Sequence, residues 1–378
     1  MAWDLLVDRT DLTATTIVEV DQLEPADGQA LLRVDRVGMT ANNVTYAIFG
    51  DAMHYWDFFP VDQTHGRVPL WGFAEVVASR AEGVAVGTRV YGYLPTSSHL
   101  LVEPDKVDDR GFRDASPHRQ HLPSPYNGLT TTSGDPAYDA ATEDLQVLYR
   151  PLFMTSFMLA DFLTDNDLFG AQAVVLSSAS SKTSYGAAFL LQGTVRTVGL
   201  TSARNLDFTR SLGCYDEVLT YEQVADLPQV PTVYVDTAGD TVLRRAVHEA
   251  VPLVHSAVVG AAHHDAAPDT GGALPGPRPT FFFAPDQMRK RYVDWGPHGV
   301  EDRHAQAWAR FAPVVAGWVD VSVGAGPQDL QSAWLEVLSG SSSPRTGHVV
   351  QLEDPLSRPH PVPTPTATPV ATRVATPE

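Results

Sequence analysis

Apolar positions in the first 150 residues recur at every second place or in short blocks. Residues 30–37 (ALLRVDRV) alternate, 74–78 (AEVVA) form a β-branched run, 87–92 (GTRVYG) follow a turn, and 99–102 (HLLV) continue the pattern. A period of two marks half-buried strands. Glycine and proline punctuate the stretch and long 3.6-residue periods are absent, so an all-β or barrel-like module is expected. The character changes after Leu148. Residues 151–163 (PLFMTSFMLADFL) are apolar at helical spacing, and strands and helices then alternate. Strand-like runs fall at 173–176, 195–200, 233–236 and 257–260, with helical patterns at 184–191 and 206–212 and Gly213 as a stop. Strands separated by helices of this length predict a parallel, doubly wound sheet.

A strand (318–323), an amphipathic helix (327–338) and a strand (348–352) close the folded pattern. They either extend the parallel sheet or return the chain to the first module. Residues 355–378 hold seven prolines and five threonines around isolated apolar residues, too little to bury, and are expected to be a disordered tail. The predicted organisation is α/β, with one module from 1–150 and 318–354, a Rossmann-type module over 151–317, and the tail.

Composition narrows the function. The 378 residues are 43% hydrophobic and 19% charged, with a net charge of −19, which argues against nucleic acid or an anionic membrane as partner. The single cysteine, Cys214, excludes an internal disulfide and any multi-thiolate metal site. No apolar run approaches ~20 residues, and the start lacks a basic and then apolar leader, so a cytoplasmic protein is expected.

The first strand-to-helix turn of the second module reads Ser177-Ser178-Ala179-Ser180-Ser181-Lys182-Thr183-Ser184. Small residues between a strand and a helix start suit a pyrophosphate, which the helix N-terminus attracts. Serines stand where glycines are usual, adding hydroxyl donors, and Lys182 adds a charge. Ser181-Lys182-Thr183 mimics the end of a P-loop, but Leu176 stands where that motif needs glycine. The following strand ends in Thr201-Ser202-Ala203-Arg204-Asn205, with no carboxylate for a ribose 2′-hydroxyl. Hydroxyls and Arg204 suit a 2′-phosphate, so NADP(H) is expected over NAD(H).

The order of these pieces resembles the zinc-free quinone-oxidoreductase and enoyl-reductase branch of the medium-chain dehydrogenase/reductase superfamily. Residues 71–77 (WGFAEVV), Gly87-Thr88-Arg89-Val90, the serine turn, residues 212–218 (LGCYDEV) and Val235-Asp236-Thr237-Ala238-Gly239 carry the likeness. Closer still, the chain resembles the DUF2855 family through residues 40–46 (TANNVTY), 55–60 (YWDFFP), 177–183 (SSASSKT) and 281–285 (FFFAP). The resemblance implies a GroES-like catalytic domain beside a Rossmann-type domain, with Ser178, Ser180, Ser181, Lys182, Thr183, Ser184, Thr201, Ser202, Arg204, Asn205 and Gly239 at the cofactor. It also implies reduction of an activated C=C or C=O, such as an enone, quinone or enoyl thioester.

Zinc is not expected, because the first module lacks cysteine and Phe73 stands where the zinc-binding branch has histidine. His263-His264-Asp265 reads as loop polars. A tyrosine is the expected proton donor, Tyr55 or Tyr46, with His54 in reserve. Asn42 and Asn43 are placed to hold the nicotinamide ribose or a substrate carbonyl. The aromatic run 54–59 (HYWDFF) suits an apolar or acyl-like small substrate, and residues 281–285 fall at an edge suited to a homodimer contact. The alternative reading is an NADP-binding sensor or a non-redox protein on the same fold.

Overall fold

The computed structural model describes residues 2–21, 23–259, 273–296 and 298–352. The tail 355–378 and His263-His264-Asp265 lie outside the described residues.

A mixed nine-stranded sheet organises the first half. Its spine is Ala30–Met39, paired antiparallel with Leu70–Ser79, which pairs with Arg89–Leu94. Gly128–Thr131, Gly111–Asp114 and Pro104–Asp108 continue on that side, and His99–Val102 adds to the spine. On its other side the spine pairs with Thr346–Gln351, itself parallel to Asp320–Ala325. A small sheet of Thr15–Val20, Ala2–Asp8 and His65–Gly66 lies beside it. Leu32, Val34, Val76 and Val90 on the strands meet Leu330 and Trp334 of the helix Gly326–Leu338 in one core.

The second sheet has six parallel strands in the order Glu217–Thr220, Arg196–Thr201, Ala173–Leu176, Thr232–Asp236, Leu253–Val258, Thr280–Phe281. Numbered along the chain this is 3-2-1-4-5-6, the dinucleotide-binding order, with its switch point beside Ala173–Leu176. That strand is buried throughout, as a central parallel strand with covered faces must be.

Three elements differ from the sequence expectation. The first module is not purely β, since Ala41–Ile48 forms a helix too short to display a long period. The strand at 74–78 runs further, Leu70–Ser79, because Trp71 and Phe73 bury aromatic surface ahead of the β-branched run. The long helix starts at Glu143, not Pro151, and ends at Asp165. Pro151 lacks the N–H that would reach Val147 O four residues back. That carbonyl abuts Gly38, where a Cβ would come within 2.3 Å of it. The helix therefore joins the two sheets, with Leu148 against Gly347 and Ser156 Oγ donating to Thr183 O at 2.8 Å.

Candidate functional site

The serine turn caps the switch-point strand. Ser181 N-caps the helix Lys182–Leu191, its hydroxyl accepting from Ser184 N. Ser178 adopts φ +47°, a conformation that favours glycine, and Tyr221 bonds it from the end of a neighbouring strand. Ser177 Oγ donates to Asp236 Oδ1 at 3.1 Å and accepts from Thr237 N and Ala238 N at 3.1 Å each. Ser184 Oγ donates to Ser177 O at 3.0 Å and pairs with Thr237 Oγ1 at 2.7 Å. Ser177 and Ser184 are fully buried, so they lock two strand ends together, and Ser184 presents no hydroxyl to a cofactor.

The backbone of the same turn is open. The amides of Ser180, Lys182 and Thr183 donate to no acceptor among the described residues. These N–H groups at a helix start are what a pyrophosphate binds. Asn205 Nδ2 donates to Ser180 Oγ at 3.1 Å, tying the second strand end to the turn. Thr201 Oγ1 is buried without a partner among the described residues, Ser202 starts the next turn, and Arg204 stands exposed. Gly239 has φ +71° and donates its N–H to Asp236 Oδ1 at 2.9 Å. Asp236 is further held by Arg244 Nε at 2.7 Å. The site thus offers free amides, hydroxyls and one exposed guanidinium, a donor set that fits a 2′-phosphorylated dinucleotide.

On the first module Tyr46 and Tyr55 come together, with ring centroids 4.7 Å apart. Tyr93 and Tyr126 join them edge-on at 5.3 and 6.4 Å from Tyr46, and Phe58 closes the cluster. Tyr46 Oη accepts from Trp71 Nε1 at 3.1 Å. Tyr55 bonds Tyr126. Burial pushes both phenols above the usual tyrosine range. Tyr91 and Tyr93 hydroxyls are buried without hydrogen-bond partners among the described residues.

Asn43 and His54 lie apart from this cluster. Asn43 Oδ1 accepts from Thr40 N at 2.7 Å and Nδ2 donates to Pro69 O at 2.9 Å, so the amide caps its helix and anchors a loop. His54 has φ +59° and an exposed ring, 3.0 Å from Asp57. Tyr55, the next residue, turns inward and is buried.

Two further groups were not legible in the sequence. Arg119 is buried against Asp114 at 3.0 Å, its guanidinium 4.7 Å from the centre of the Phe59 ring. Arg150, ion-paired with Asp135, covers Tyr91 at 4.5 Å. Nothing in their spacing marks them, because their partners lie on other elements. Among the described residues no cluster of three or more histidine, cysteine or acidic side chains could hold a metal.

Solved structures match almost end to end at low identity. CurA from Vibrio vulnificus superposes with a TM-score of 0.62 at 15% identity, over 94% of this chain and 100% of that one. Its complex with NADPH gives 0.63 at 14%, again over 94% and 100%. The quinone oxidoreductase from Thermus thermophilus, described with its NADPH complex, gives 0.56 at 14% over 93% and 100%. The fold is that of medium-chain dehydrogenases/reductases, a GroES-like domain with a Rossmann-type one. No curated protein matches the sequence. The family model described as "Protein of unknown function (DUF2855)" matches residues 37–343, and the chain belongs to that family.

Proposed function

We propose that this protein is an NADPH-dependent, zinc-independent oxidoreductase that reduces an activated C=C or C=O of a small apolar or acyl-like compound. The observation that carries the reading is the serine turn at the switch point, with free amides and no carboxylate at the second strand end. The neighbours crystallised with NADPH support it.

Residues 151–317 hold the nucleotide, the amides of Ser180, Lys182 and Thr183 taking the pyrophosphate and Thr201, Ser202, Arg204 and Asn205 the 2′-phosphate end. Ser178, Ser181 and Gly239 shape the turns around it. The reduced nicotinamide supplies hydride when bound. Residues 1–150 with 318–354 face the acceptor. Tyr46 and Tyr55 hydrogen-bond its oxygen as negative charge develops, and their raised pKa keeps them protonated donors. The exposed Phe281 on the edge strand Thr280–Phe281 is the proposed homodimer contact.

The test is NADPH binding by fluorescence, followed by NADPH oxidation with a panel of enones, quinones, aldehydes and acyl thioesters. Binding with oxidation is the expected outcome. Tight binding without oxidation by any acceptor would instead favour an NADP-binding sensor, a reading that the strained serine at position 178 also favours. No binding of either nucleotide removes the proposal.

A further inference from the structure

The segment that returns to the first module carries a polar cluster with no part in the proposed reduction. Residues of its last strand, Thr346–Gln351, alternate between two faces. Gly347 and Val349 face the core against the helix Glu143–Asp165, with Leu148 packed on Gly347. His348 and Val350 face the helix Gly326–Leu338 on the other side. His348 is only 8% exposed, and it lines a groove of about 230 Å³ between that helix and the edge strand Asp320–Ala325. Asp329, Ser332 and Glu336 reach the groove from one helix face, at three- and four-residue spacing. Among the described residues lining it there is no lysine or arginine.

Three donors from three parts of the chain converge at one end of the groove. Ser342 Oγ donates to Glu336 Oε1 at 2.9 Å and lies 3.2 Å from His348 Nε2. The same Nε2 and Oε1 stand 3.4 Å apart. The connecting turn is held on the helix end, where Ser339 Oγ donates to Glu336 O at 2.8 Å. Ligands bonded at about 2.0–2.1 Å to one ion stand about 2.9 Å apart in octahedral and about 3.4 Å apart in tetrahedral geometry. All three sides of the triangle fall within those bounds. As hydrogen bonding alone the arrangement does not close, because the imidazole–carboxylate side is longer than the usual N–H···O range.

We propose that Glu336, Ser342 and His348 hold a divalent transition ion of the zinc class, which ties the last helix to the last strand. The imidazole lone pair selects such an ion over magnesium or calcium, which take oxygen ligands. The Glu336 carboxylate supplies balancing charge, Ser342 adds a neutral oxygen, and water from the groove fills the remaining positions. His348 points away from the core that holds Tyr91, so the ion is structural and takes no part in the reduction.

The experiment uses the full chain, stripped of metal with a chelator, and zinc chloride as the probe. Calorimetric titration should give a site tighter than about 100 µM. Glu336→Gln changes an exposed position and is expected to fold as the wild type does, yet to weaken that binding by about fivefold or more. Long-range proton–nitrogen NMR should contain one imidazole, absent from His348→Gln, whose Nε2 resonance moves on addition of zinc. In Glu336→Gln at the same zinc concentration that resonance should move less. A loss of affinity below about fivefold in Glu336→Gln would place the zinc at other histidines and overturn the inference. A His348 resonance that ignores zinc overturns it too, as does binding weaker than about 100 µM in the wild type.

Discussion

Arg204 and the tyrosine pair carry separable predictions. Arg204 stands exposed beside Asn205, with the buried hydroxyl of Thr201 on the same strand end. An arginine meeting a phosphate makes charge-assisted bonds, which a ribose hydroxyl cannot replace. Arg204→Ala should therefore weaken NADPH by about tenfold or more and NADH by less than about twofold, measured by fluorescence titration. Equal loss for both nucleotides would remove the 2′-phosphate assignment. Tyr46→Phe and Tyr55→Phe delete one oxygen each from a packed cluster. Each should keep NADPH affinity and lower kcat with benzalacetone by ~10–10³, the usual cost of one donor to a developing oxyanion. Retained rates in both variants would place oxygen stabilisation elsewhere.

The serine turn works as a clamp between two strand ends. Ser177 satisfies three partners at once, Asp236 Oδ1 and the amides of Thr237 and Ala238, in a site with no exposure. Ser177→Ala leaves two buried amides without that acceptor, and should destabilise the protein by about 2–4 kcal/mol in urea unfolding. A change below about 0.5 kcal/mol would mean the clamp is redundant. Much of this element was legible: the strand–turn–helix order, the missing carboxylate and the departure from glycine are all local features. The division of labour among the serines was not. Ser177, outside the expected site set, does the bracing, and Ser184, within it, is buried against Thr237. Such roles depend on how close the 173–176 and 232–236 strands lie, which the spacing of letters does not encode. The start of the long helix was hidden for a similar reason. Pro151 reads as a helix beginning until Gly38, over a hundred residues earlier, is seen to receive the carbonyl that proline leaves free. Asn43 reads as a polar group for catalysis until Pro69 O takes its amide.

At the scale of the whole molecule, the sheets are held together by helix packing that buries His304, a titratable group with no charge partner of opposite sign among the described residues. His304 is buried between Phe153 and Phe157, with ring centroids at 5.6 and 5.9 Å, and its Nε2 has no hydrogen-bond partner among the described residues. Burial and then the positive charge of Arg150 push the imidazole down to about 3. In the unfolded chain it titrates near the ordinary ~6.5. The sign follows from linkage. Above that pH both states hold a neutral ring and His304 contributes nothing to the pH dependence. As pH falls below it the unfolded state binds a proton that the folded state refuses, so stability drops until pH reaches about 3. Between pH ~6.5 and ~5 the loss from this residue should be about 2 kcal/mol. Urea unfolding of wild type and His304→Phe at pH ~7 and ~5 isolates it, because the acidic groups that also titrate are common to both proteins. The variant should lose less stability on acidification. An identical loss in both would mean that water or a structural shift reaches the ring and lets it protonate in place.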